Sequence, residues 1–270
     1  MLKHRLIPNI ILNKGNVVQS INFKHTNVIG NAITAVDFFN SWAVDEIIIL
    51  DVTRSPEYRK NFHRIIDGLS KRCFIPLTVG GWIRDIEEIQ QLLNIGADKV
   101  AINSAAVTNP DFIKESAKIF GSQCIVVSID VRKNQSQEYE VFIDRGSIGT
   151  NVNPVEWAKK VEELGAGEIF LTSIDNDGSK KGYDIELVRK VCENVSIPVI
   201  AFGGVGSWQH FVEGIKNGKA NAVSAANIFH FSEHSTFNAK EYMIKAGLNV
   251  RVPKFYKLPT PRKPKYNEIY

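Results

Sequence analysis

Chemistry in this sequence concentrates in two sets of residues. Gly81 and Trp82 follow one apolar run and Gly203 and Gly204 follow another, while Ser104 and the pair Ala226 and Asn227 stand in further turns of the same kind. Turns that lead from strand to helix expose backbone N–H groups and favour phosphate. The glycine turn occurs twice, which suggests two anion sites and a ligand with a phosphate at each end. Asp130 closes the run 124–130 at that same end. The second set is ionic: Arg5, Glu46, Lys99 and Glu168 open four apolar runs, two cations and two anions.

Eight β-rich runs position these residues, at 6–11, 46–51, 75–79, 99–102, 124–130, 168–173, 198–202 and 221–225. Helical patterns alternate with them near 31–42, 56–70, 85–94, 110–119, 154–164, 184–194, 207–217 and 237–246. Asp85, the pairs Asn109-Pro110 and Asn153-Pro154, and Ser207 supply caps or first-turn prolines, and Gly96, Gly121, Gly165 and Gly218 follow helix ends. Glu46-Ile-Ile-Ile recurs as Glu168-Ile-Phe-Leu, Ile75-Pro-Leu as Ile197-Pro-Val, and Gly81 as Gly203, all at one shift. Two fourfold halves in constant register predict a closed (β/α)8 TIM barrel with a two-fold half-barrel repeat over 1–250, its chemistry at the C-terminal strand ends. An open doubly wound sheet is the alternative.

Strand parity then places side chains. Arg5, Ile7, Asn9 and Ile11 share a face, as do Lys99, Ala101 and Asn103, and Val126, Ser128 and Asp130. If these faces line the lumen, the four charged residues meet at the N-terminal mouth, where they would form a neutral paired ring or simply cap the barrel bottom. Residues 12–29 are expected as a long loop and 132–150 as a second, with a small hairpin at Tyr139 to Ile143. Both would overhang the other mouth.

Composition narrows the function classes. The chain has 270 residues, 44% hydrophobic and 23% charged, within the ordinary range for a globular domain. No apolar stretch is long enough to span a bilayer, and the start lacks a secretory pattern. The net charge of +4 falls largely after Arg251, so the barrel carries no concentrated basic face for nucleic acid. Cys73, Cys124 and Cys192 lack metal or disulfide spacing and read as buried thiols of a cytoplasmic protein. His4, His25, His63, His210, His230 and His234 are dispersed, so no metal site and no cofactor is expected. Residues 251–270 carry four prolines among six basic residues and read as an extended C-terminal arm.

Four segments carry a family resemblance: Gly96-Ala-Asp-Lys-Val-Ala-Ile-Asn-Ser-Ala-Ala, Phe120-Gly-Ser-Gln, Leu171-Thr-Ser-Ile-Asp-Asn-Asp-Gly and Ile228-Phe-His-Phe. Over roughly residues 1–250 the chain resembles the cyclase subunit of imidazole glycerol phosphate synthase. That resemblance implies a glutaminase partner docked on the N-terminal face, with Asp98 matching a docking residue. It makes Arg5, Glu46, Lys99 and Glu168 an ammonia gate and Asp130 a catalytic residue. It also assigns Gly81, Asn103, Ser104, Thr172, Asp177, Gly178, Gly204, Ala226 and Asn227 to a phosphorylated ligand.

The departures fall at one mouth only. The family closes its ring with two aspartates, and the partner of Asp130 is here Ile11, which moves no proton. Gln19 replaces a lysine, Phe202 a small residue, Trp82 a glycine and Asn227 a serine. The pattern implies a divergent paralogue that still conducts ammonia but hands it to another acceptor. Such paralogues are associated with surface-polysaccharide sugars and a partner sugar amidotransferase. A working cyclase, with a water or Asp51 in place of the missing carboxylate, and a non-catalytic scaffold are the alternatives.

Overall fold

The structure is a computed structural model that describes residues 3–42, 44–230 and 234–254. In chain order its elements are β1 (Arg5–Asn13), β2 (Asn16–Ile21), β3 (His25–Gly30), α1 (Ala32–Ser41), β4 (Ile47–Asp51), α2 (Arg59–Ser70), β5 (Leu77–Gly80) and α3 (Ile86–Asn94). They continue with β6 (Lys99–Ile102), α4 (Ser104–Thr108), α5 (Asp111–Phe120), β7 (Ile125–Lys133), β8 (Tyr139–Ile143), β9 (Ile148–Gly149) and α6 (Pro154–Glu163). The last are β10 (Glu168–Ser173), α7 (Ile185–Cys192), β11 (Val199–Phe202), α8 (Trp208–Lys216), β12 (Ala222–Ala225) and α9 (Ser235–Lys245).

Eight parallel strands close on themselves in the order β1, β4, β5, β6, β7, β10, β11, β12 and back to β1. The chain is a (β/α)8 barrel, and the open sheet is excluded. Alternation along each strand sorts apolar residues into two compartments. Ile47 and Ile49 of β4 and Ile125, Val127 and Ile129 of β7 face the helices in a large outer core. Ile7, Ile11, Ile48, Ala101, Val126, Phe170, Ile200 and Ala222 form a separate cluster in the lumen.

The half-barrel repeat holds in detail. Both β5 and β11, and α3 and α8, stand 122 residues apart, matched end for end. Pro76 and Pro198 explain why β5 and β11 begin later than 75 and 198, since a proline has no N–H for the ladder. Asp85 and Asn153 cap α3 and α6 through their side chains, whereas Ser207 makes no side-chain cap bond.

The first long loop is not a loop. It carries the antiparallel hairpin β2–β3, entered from β1 through Lys14 and Gly15 with φ of 51° and 83°. Two successive positive φ values are the mark of a tight hairpin turn whose twist matches its strands. Beyond β7, β8 and β9 form the expected hairpin, paired to the upper end of β7. Val250 is buried and bridges His4, whereas most of the basic arm, 255–270, lies outside the described residues. The three cysteines are free and half-buried rather than fully buried. Among the described residues no helix is long and apolar enough to cross a membrane.

Candidate functional site: the two mouths of the barrel

At the N-terminal mouth the inward residues at the bases of four strands meet. Arg5 donates to Glu46 at 2.7 Å and to Glu168 as well, while Lys99 Nζ lies 3.0 Å from Glu46 and 2.9 Å from Glu168. Each carboxylate therefore holds both cations. Thr78 adds a bond to Glu46 at 2.5 Å. The four charges sum to zero, so burial of the two glutamates is compensated. The exposed Asp98 lies beside this ring and uses one carboxylate oxygen to accept from the Leu77 amide.

Above the ring the lumen is lined mainly by apolar side chains up to Asp130, with the buried Asn9 and Ser224 among them. This carboxyl is buried and receives Asn103 Nδ2 at 3.1 Å, with the Ser128 and Thr172 hydroxyls as further donors. Burial, helped by nearby Asp177, pushes its pKa up to about 7 against those three donors. Asp130 is thus poised to take or release a proton near neutrality. Ile11, inward and 5% exposed, gives it no acid or base partner. Asp51 cannot replace that partner: it shares the outward face of β4 with Ile47 and Ile49 and is held by Thr53 and Arg59.

The two glycine turns both take positive φ at two successive residues but have different fates. Gly81 and Gly203 have φ of 106° and 102°, and the next residues, Trp82 and Gly204, 61° and 98°. In the first half the Trp82 indole donates to the Thr53 carbonyl at 2.7 Å. The loop after β8 then ties itself down: the Asp144 amide donates to Ser104 Oγ, and Arg145 donates to the Val52 carbonyl. Ser104, after β6, is therefore covered by the protein's own groups, and the Trp82 side chain beside Gly81, after β5, is tied to Thr53.

In the second half, Asp177, Gly178, Gly204, Ala226 and Asn227 line one cleft with Lys180 and Phe202. It measures about 20 Å³, room for one water molecule. A phosphorylated ligand would have to displace its walls. Asp177 accepts from Ser20 Oγ at 2.8 Å and from the Phe23 amide, and Gly178 lies so close that a Cβ would meet the Ser20 carbonyl at 2.8 Å. The β2–β3 hairpin is thereby fastened over the mouth. Burial raises the Asp177 pKa to about 6. Neither Asp175 nor Asp177 caps a helix; that role falls to Asp184.

Sequence reasoning missed the Ser20 tie, the Asp144 and Arg145 cover, and the complete burial of Asn9. The inward parity of Asn9 was the available signal; the ties depend on loop conformations that no periodicity reports. A wider cleft of about 510 Å³ lies off the barrel axis, lined by Lys133, Tyr139, Asn153, Glu186 and Lys190. Two of its charges are paired, with Lys190 on Glu186 at 2.7 Å.

Comparison with known proteins agrees with this geometry. A protein of Vibrio vulnificus (strain YJ016), provisionally named imidazole glycerol phosphate synthase subunit hisF2, is 51% identical over 252 residues, covering 93% of this chain and 92% of that protein. The family model described as "Histidine biosynthesis protein" matches residues 5–235. On that match, and as its resemblance to the cyclase subunits implied, the chain belongs to the histidine biosynthesis protein family.

Proposed function

We propose that this barrel is the synthase-side subunit of a cytoplasmic glutamine amidotransferase complex, carrying ammonia from a glutaminase through its lumen to an acceptor other than the cyclase substrate. A single observation carries the reading. A neutral ring of Arg5, Glu46, Lys99 and Glu168 closes the foot of a largely apolar bore that ends at one unpaired acid, Asp130 opposite Ile11. An ammonia source is of use at that foot, and ring closure lacks half of its acid/base pair at the top.

The glutaminase would sit on the N-terminal face, against Asp98 and the ring. The acceptor, a surface-polysaccharide sugar amidinated by a partner amidotransferase, would be reached at the face carrying the two hairpins. Asn103, Thr172, Asp177, Gly178, Gly204, Ala226 and Asn227 would line the way to a phosphorylated small molecule there. Neither a membrane nor a nucleic acid is a partner in this reading.

The test is cyclisation of the phosphoribulosyl formimino nucleotide by purified barrel with an ammonium salt. No turnover by the natural chain, and turnover on Ile11→Asp, is the expected result; turnover at the level of an ordinary cyclase would overturn it. A working cyclase is the second reading. It is favoured by the near-neutral pKa of Asp130 and by Asp177 as a nearby carboxyl. A third, a scaffold without transport, fails if the barrel stimulates glutamine hydrolysis by its glutaminase.

A further inference from the structure

The lumen holds a polar site that neither the ionic ring nor Asp130 uses. Asn9 is fully buried, and neither its Oδ1 nor its Nδ2 has a hydrogen-bond partner; the Ser224 hydroxyl is fully buried and unpartnered too. Buried polar atoms are nearly always satisfied, so three orphans in one place point to a small molecule that satisfies them. Both residues face inward. Asn9 lies between Ile7 and Ile11, and Ser224 between Ala222 and Ala226, all four in the lumen cluster.

Register brings the two together. Ile7 pairs with Ser224, so Asn9 is one diagonal step away, roughly 8 Å between backbones from the strand spacing and rise. Asn9 is also four residues above Arg5 on the same face, roughly 13 Å along β1. The site thus lies between the ring and Asp130, in surroundings formed by Ile7, Ile48, Val126, Phe170 and Ile200.

We propose that Asn9 and Ser224 form a waypoint for neutral ammonia inside the barrel. This rests on the conduit reading and adds where the cargo pauses and in which protonation state. Ammonia has one lone pair and three N–H groups. It accepts from Asn9 Nδ2 and donates to Asn9 Oδ1 and the Ser224 hydroxyl, which satisfies all three orphans. Ammonium has no lone pair for the Nδ2 donor, and its charge would lie unpaired among aliphatic side chains. The waypoint therefore selects the neutral form.

The full chain carrying 15N in its asparagine side chains tests this by NMR, with Asn9→Leu, or Asn9→Ser should that variant not fold, identifying the Asn9 amide resonance. Ammonium chloride is titrated at about pH 8 and about pH 9, above the Asp130 transition, with potassium chloride as control. The Asn9 resonance should move saturably with ammonium only. Its midpoint in total ammonium should fall by about six- to sevenfold from pH 8 to pH 9, following the neutral fraction of a base that titrates near pH 9, and Ser224→Ala should raise the midpoint. A resonance that stays still, or moves independently of pH, overturns the waypoint in favour of resident water or the cation. Glutamine-supported nitrogen transfer in the complex with its glutaminase reads the conduit separately. Normal transfer beside an unmoved resonance sinks the waypoint alone, and a moving resonance without transfer keeps the site while sinking the conduit.

Discussion

Glu46 and Glu168, 122 residues apart, each hold both Arg5 and Lys99. The arrangement has no spare cation, so removing one leaves two buried carboxylates sharing a single positive charge. Lys99→Met should lower stability by about 2–4 kcal/mol, the scale for breaking a largely buried pair. Urea denaturation measures it, and Glu168→Gln added to Lys99→Met should restore part of the loss. Equal midpoints for natural chain and single variant would contradict a ring that is paired throughout.

Asp130 should make the folded state pH-sensitive. Its folded pKa, about 7, exceeds the usual carboxyl value, so its contribution is fully present below about pH 4 and is lost as pH rises through 7. Asp130→Asn cannot lose that proton. Its stability relative to the natural chain should improve by about 2–4 kcal/mol between pH 4 and pH 8. Chemical denaturation across that range checks the sign, and a flat difference would contradict a buried acid with a raised pKa.

The Ser20 hydroxyl on Asp177 is a local fastening with a local effect. Ser20→Ala leaves a buried carboxyl short of one donor, a loss of about 1–2 kcal/mol. Hydrogen exchange across residues 16–30 should quicken by about tenfold, while the barrel strands keep their protection. Uniform quickening throughout the chain would mean the hairpin is not a separate lid.

Ile11→Asp, the variant meant to restore ring closure, should also destabilise. A carboxyl set among Ile7, Val18 and Phe202 is desolvated, at about 1–3 kcal/mol. The loss should grow as pH rises and the new group is driven to ionise. A thermal melting series against pH reads this, and unchanged melting at every pH would place the new side chain in water.

The barrel was legible because its signals are periodic. The shift of 122 residues, visible in Gly81 and Gly203, survives end for end in α3 and α8, and parity alone sorted Ile7 and Ile11 from Leu6 and Ile10. What stayed hidden depends on single conformations. Asn13-Lys14-Gly15-Asn16 is a tight turn only because Lys14 takes a left-handed backbone, which its side chain does not advertise. Trp82 shows the opposite case: it stands where the other half has Gly204 and likewise takes a positive φ. The backbone of that turn is kept even though the tryptophan bears the strain. Site residues at the upper mouth were nameable by resemblance, but the Asp144 amide on Ser104 and Arg145 on the Val52 carbonyl were not.

The ring at the foot of the barrel also has a consequence for how the two halves can diverge. Three of its members belong to the N-terminal half and only Glu168 to the other, so neither half balances its own charge there. Drift in one half alone leaves an ionic debt inside the molecule. The opposite mouth is also tied across the halves, but by single hydrogen bonds such as Ser20 on Asp177 and Arg145 on the Val52 carbonyl rather than by a shared charge balance, and Trp82 stands in one glycine turn without any answering change in Gly204. A fold of this kind can reinvent its upper surface while its base stays frozen.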